Sequence, residues 1–143
     1  MAFLFDSHPV FPTPDVQRTA EYYAHVLGFR AVEYLDAAEA HVCLYRDGVE
    51  IILTDSQGHP VVPNRELYGY GCDAYLITEN QEDLQREFTR AGAVVARPLA
   101  QTDYHSAEFV IEDVDGRWIG FGIKDDGGDR GAVSRGVAVD APA

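Results

Sequence analysis

The chain carries one run of structural signals twice. In each run an amphipathic helix stops at a glycine, and an Asp-Gly pair then separates two alternating stretches. The helix-closing glycines, Gly28 and Gly92, lie 64 residues apart, and the hairpin glycines, Gly48 and Gly116, lie 68 apart. Two landmarks at nearly one offset point to internal duplication. Neither half is large enough to bury its helix and sheet securely alone, so the halves are expected to share a core.

Read in order, the first half opens with a short strand, Ser7–Phe11, broken by Pro12 and Pro14. Thr13 is the expected N-cap of a helix from about Pro14 to Leu27, with Asp15 adding negative charge to the first turn. Val16, Ala20, Tyr23 and Leu27 form its apolar stripe, and Gly28 stops it. Three strands are expected next, over Phe29–Leu35, His41–Tyr45 and Val49–Thr54. Asp55 to Gly71 is polar, contains Gly58, Pro60, Pro63 and Gly69, and reads as a linker.

The pattern then restarts. Cys72–Ile77 reads as a strand and Glu79–Ala91 as a helix with Leu84 and Phe88 on its apolar side. Ala93–Ala96 is a strand, Pro98–Ser106 a loop. The sequence EFVIEDVDGRWIGFG, Glu108 to Gly122, reads as a hairpin turning at Asp115-Gly116, with positive φ expected at both turn residues. Alternation puts Ile119, Phe121 and Ile123 on one side, toward a core, and Trp118, Gly120 and Gly122 on the other. A large ring beside two glycines suits a concave surface with open space. The boundaries expected are 1–67 and 68–124 for the two βαβββ units, and 125–143 for an acidic tail.

Composition narrows the function. Twenty-four acids face 11 bases, a net charge of −13. That argues against nucleic acid and anionic membranes as partners; it is compatible with cationic ligands through long-range attraction, and equally with a solvated acidic surface that keeps the protein in solution. No apolar run is long enough to span a bilayer, and the start lacks a signal-peptide pattern. Cys43 and Cys72 sit in strand-like stretches and read as buried free thiols, which suits a cytoplasmic location.

The stretches HPVFPTPDVQRTAEYYAHVLGF and EFVIEDVDGRWIGFG resemble the vicinal oxygen chelate superfamily of glyoxalases, extradiol dioxygenases and bleomycin-resistance proteins. The resemblance covers roughly residues 7 to 123. It implies an α+β fold of two βαβββ modules, whose curved mixed sheets form a cleft, and a homodimer. In metal-dependent members two ligands come from each module. Carried over, they fall on His8, Ile52, Asp73 and Gly120. Isoleucine and glycine offer no side-chain donor, and a catalytic metal wants at least three protein ligands.

The expectation is therefore a metal-free, cofactor-free cleft of the bleomycin-resistance type, which the resemblance implies is acidic and sequesters cationic, flat aromatic drugs. Trp118 would stack on the ligand, Gly120 would leave it room, and Glu50 and Asp73 would supply charge. His8, His41, Tyr45 and Tyr75 complete the candidate site, and Tyr104 and His105 lie in a loop that could cover it. One alternative is a divalent-metal lyase, isomerase or dioxygenase using His8, Glu50 and Asp73. Another is a scaffold whose cleft is filled by its own side chains.

Overall fold

A computed structural model describes residues 1–101, 107–123 and Val139. The element order is β1 (Val10–Thr13), α1 (Val16–His25), β2 (Arg30–Tyr34), β3 (His41–Arg46), β4 (Val49–Asp55), α2 (Asn64–Tyr68), β5 (Ala74–Ile77), α3 (Gln81–Arg90), β6 (Val94–Gln101), β7 (Ala107–Glu112) and β8 (Trp118–Gly122). Two four-stranded sheets result, ordered β1-β4-β3-β2 and β5-β8-β7-β6. In each, the first strand pairs in parallel with the last and the other pairs are antiparallel. The duplicated βαβββ pattern is thus present as two mixed sheets of identical topology.

The differences from expectation have local causes. β1 runs through Pro12. It is an edge strand, and Pro9 and Thr13 carbonyls accept from the N–H groups of Ile52 and Ser56. The odd-numbered backbone groups therefore face β4, and Pro12, which has no N–H, faces outward where none is needed. The cap of α1 is Asp15, whose carboxylate accepts from Arg18 N–H at 3.1 Å. Thr13 instead ends β1, and its buried hydroxyl meets that of Thr19 at 2.8 Å. The linker holds a short helix, α2, which straddles the expected boundary between Leu67 and Tyr68. β6 continues past Pro98 to Gln101, again as an edge strand.

One core serves both halves. Phe11, Tyr23, Leu27, Leu44, Ile51 and Leu53 of the first unit pack in the same cluster as Phe88, Phe109, Ile111, Ile119 and Phe121 of the second. Phe109 and Phe121 stack with centroids 5.1 Å apart, and Phe88 meets both edge-on. Each such ring contributes roughly 1.5–3 kcal/mol by leaving water. Ile123 does not join them: β8 ends at Gly122, and Ile123 is 43% exposed. Both cysteines are free thiols; Cys43 is buried, and Cys72, expected to be buried too, is only half-buried.

Candidate functional site

Strand register decides which side chains meet. Val10 stands opposite Ile52 in the parallel pair β1–β4. Two residues earlier along both strands come His8 and Glu50, whose Nε2 and Oε1 lie 3.6 Å apart, with Asp6 Oδ2 3.8 Å from the same nitrogen. In the second sheet Tyr75 stands opposite Gly120, and Asp73 N–H donates to the Trp118 carbonyl at 2.8 Å. With His8 as reference, the second and fourth ligand positions taken from the resemblance therefore move from Ile52 and Gly120 to Glu50 and Trp118.

That set still does not fit a divalent metal. An indole has no lone pair to offer. Each Asp73 oxygen already accepts one backbone hydrogen bond, Oδ1 from Asn64 N–H and Oδ2 from Trp118 N–H, both at 3.0 Å. Asp73 thereby ties the start of α2 to the start of β8. Among the described residues no group of three or more His, Cys, Asp or Glu side chains is placed to hold a metal ion.

A cavity of about 1010 Å³ lies where the entry to β1 and the β3–β4 turn approach β5 and α3. His8, Glu50, Asp73 and Tyr75 line it, so four of the eight candidate residues meet at one space. Phe29, Leu84, Phe88 and Phe121 supply apolar wall. The acids there are Asp6, Asp47, Glu50, Asp73, Asp83 and Glu87, against His8 and Arg46. Arg46 is itself held by Glu87, with Nη–Oε distances of 2.6 and 2.9 Å. The balance of the wall is negative.

Trp118, Gly120, His41 and Tyr45 are not on that lining. The open space expected beside Gly120 and Gly122 is filled: Tyr75 lies across both, and a Cβ on Gly120 would stand 2.8 Å from Tyr75 Cδ2. The glycines make room for a tyrosine of the same chain. Trp118 is half-buried, and its Nε1–H donates to Glu112 Oε1 at 3.2 Å. Two guanidinium groups sit over its ring, Arg65 at 4.7 Å and Arg97 at 5.0 Å from the centroid.

His41 and Tyr45 share the corresponding face of the first sheet. His41 stacks on Tyr34 at 5.0 Å, and its Nδ1 lies 2.8 Å from the Glu39 carbonyl. Arg30 lies 5.0 Å over the Tyr45 ring. The Tyr45 hydroxyl is pushed up to about 12, chiefly by its hydrogen bond with Cys43. Burial pushes both the Cys43 and Cys72 thiols up, so neither is an activated nucleophile. Tyr104 and His105 lie outside the described residues.

Sequence reasoning missed Arg65, Arg97 and Glu112. Glu112 was within reach: it and Trp118 flank the Asp-Gly turn and form a cross-strand pair. Arg97 was hidden because Pro98 read as the start of a loop. Arg65 sits on the overlooked α2, and no local pattern announces it.

Solved structures share this fold. TioX from Micromonospora sp. ML1 matches with a TM-score of 0.62 and 20% identity, covering 82% of this chain and 98% of its own. TnmS3, an antibiotic binding protein from Streptomyces sp. CB03234, matches at 0.67 and 15% identity, covering 87% and 99%. A superfamily member from Sphaerobacter thermophilus DSM 20745 matches at 0.66 and 16% identity, covering 85% and 98%. No curated protein matches the chain in sequence. The pattern of the Glyoxalase/Bleomycin resistance protein/Dioxygenase superfamily matches residues 7–121, and with its two βαβββ sheets the chain belongs to that superfamily.

Proposed function

We propose that this protein binds and sequesters a small cationic aromatic molecule without a metal or cofactor, in the cavity between the β3–β4 turn and α3. The observation that carries the reading is the cavity wall. It combines phenyl and phenol surface with an excess of carboxylates. The volume of about 1010 Å³ stands at the upper end of ligand pockets, typically about 300–1,000 Å³. The net charge of −13 would draw a cation toward it. An antibiotic binding protein among the structural relatives is consistent with this use of the fold.

Calorimetric titration with bleomycin and with 9-aminoacridine tests the proposal. Saturable binding of either, weakened about tenfold or more by Glu50→Gln, is the expected result. Absence of heat across a panel of cationic aromatics would overturn it. So would a stoichiometric divalent metal in the purified protein that is lost on His8→Ala.

The same reading places the protein in the cytoplasm as a homodimer. Phe3, Leu4 and Phe5 at the start, and Leu67, Tyr68 and Tyr70 around α2, are all more than half exposed. Such apolar surface suits a subunit contact. Sedimentation velocity should give a dimer mass, and a monomer at all concentrations would refute this part.

A further inference from the structure

The chain changes character where it enters the cavity wall. From Asp6 onward it is held. Asp6 Oδ1 accepts from Ser7 N–H at 2.8 Å, His8 Nε2 lies 3.6 Å from Glu50 Oε1, and the Pro9 carbonyl accepts from Ile52 N–H at 3.0 Å. All four residues line the cavity. Before Asp6 no hydrogen bond or ion pair among the described residues ties residues 1–5 to the body. Phe3, Leu4 and Phe5 are 78%, 98% and 87% exposed, and the Phe3 and Phe5 rings lie against each other with centroids 6.0 Å apart.

Three consecutive large apolar side chains in water mark a segment that gains by being covered. The root of this arm limits where that can happen. It starts on the cavity rim, one residue from Phe5 and three from Phe3. An extended chain covers at most about 3.5 Å per residue, so three residues span about 10 Å, the width of a cube of about 1010 Å³. The arm has no acid before Asp6, so the acidic wall does not repel it. Phe29 and Leu84 give that wall apolar surface. The other exposed apolar patch, Leu67, Tyr68 and Tyr70, is not part of the rim from which the arm starts.

We infer that Phe3–Phe5 is a lid for this cavity. A flat aromatic cation in the cavity supplies the surface on which the phenyl rings pack, and the arm swings on Asp6 to cover it. Covering the ligand excludes water, which strengthens the pairing of its charge with Glu50. The inference rests on the preceding reading, because the lid closes on that cavity's ligand. The subunit contact then rests on the α2 patch.

The test uses the full-length protein with 9-aminoacridine as probe. The variant carries Phe3→Ser, Leu4→Ser and Phe5→Ser together; these side chains are exposed without ligand, so its far-UV circular dichroism and urea midpoint should match the wild type. Stopped-flow fluorescence should show release accelerated by about 10- to 100-fold, from the apolar cover lost, with association changed by less than about twofold. Chymotrypsin reads closure directly. Saturating 9-aminoacridine should slow cleavage after Phe3 and Phe5 by at least about tenfold, since a closed arm is cut only when it opens, and should leave cleavage at Tyr68 and Tyr70 unchanged. Sedimentation of the variant should show the same assembly as the wild type.

Equal release rates from wild type and variant, or an arm cut equally fast with ligand bound, would overturn the inference. So would faster release accompanied by dissociation into monomers, because the arm would then serve a second copy and not its own cavity. The two readings fail in different ways. If 9-aminoacridine does not bind the wild-type chain, the cavity reading fails and the lid with it. If it binds and the variant releases it no faster, only the lid fails.

Discussion

The Asp47-Gly48 turn and the Asp115-Gly116 turn close equivalent hairpins, yet they are built and used differently. In the first, Arg46 pairs with Val49 across a two-residue loop; Asp47 takes a positive φ of 50°, and its carboxylate is 90% exposed. In the second, Gly116 takes the positive φ, and Asp115 does not. Asp113 accepts from the N–H groups of Asp115 and Arg117, from Arg117 Nη1 and from Tyr23 Oη, at 2.6 to 3.1 Å. Thr19 donates to Asp115 at 2.6 Å, and Arg117 reaches both Asp115 and the Pro12 carbonyl.

The contrast follows from how the halves meet. Each unit's helix touches the other unit's hairpin. α1 grips the second turn through Tyr23, Thr19 and Arg18. α3 reaches the first hairpin through the Glu87–Arg46 pair, which sits at the surface. One seam is buried and polar, the other solvated. Duplication repeated the topology, but it did not repeat the strength of the contact.

The largest expected effect is therefore at Arg117. Its side chain is 3% exposed and those of Asp113 and Asp115 are 0% and 3%. Removing one partner of a buried charge group leaves the rest uncompensated, at a cost of about 3–5 kcal/mol. Arg117→Ala should lower the urea midpoint accordingly. A loss below about 1 kcal/mol would mean that the second turn is no more a clasp than the first.

Gly122 ranks next. In the first unit the matching position is Thr54; at Gly122 a Cβ would fall on Tyr75 Oη and stand 2.9 Å from Glu108 Cβ. Gly122→Ala should cost about 1–3 kcal/mol by overpacking, and Tyr75→Phe in the same chain should recover part of it. If the two changes add with no recovery, Tyr75 is not the residue the glycine accommodates.

These two positions also show what was legible in the sequence. Hairpins, helix stops and the inward faces of β4 and β8 follow from local chemistry, and Ile51, Leu53, Ile119 and Phe121 are buried as alternation requires. The partners across the fold do not. Gly120 and Gly122 announced missing volume but not who would fill it, and Tyr75 lies 45 residues before Gly120. Likewise Asp73 reads as a free carboxylate until its two backbone partners, Asn64 and Trp118, are located. Four of the candidate residues reach one cavity because register places them there, which no single strand encodes.

The buried seam should also show a pH signature. The Tyr23 hydroxyl is pushed well above its ordinary value by burial, then by the charge of Asp113 and the hydrogen bond to it; Tyr22 is pushed up to about 12 by burial, then by the charges of Asp113 and Glu112. Both groups stay neutral in the fold while unfolded tyrosines ionise from about pH 10. Stability contributed by the raised values is thus intact below pH 10 and falls as pH rises from there toward the folded values. Urea midpoints should be flat from pH 7 to 9 and drop above 10, and Tyr23→Phe should shrink the drop. An unchanged drop would assign it to tyrosines away from the turn.

The smallest effect is expected at the other seam. The Arg46 guanidinium beside Glu87 lowers the carboxyl from its ordinary range, so the pair stabilises the fold above the unfolded carboxylate value and stops doing so as pH falls through the lowered one. Glu87 is 47% exposed, so solvent screens the gain, and exposed pairs are typically worth about 0.2–1 kcal/mol. Glu87→Gln should cost no more than that at pH 7 and should remove part of the acid-side loss. Because Arg46 also donates to the Leu27 carbonyl at 2.7 Å and lies over Phe88, its position should survive the change. A cost matching that of Arg117→Ala would make the two seams equal, and exposure would then be the wrong measure of what joins the halves.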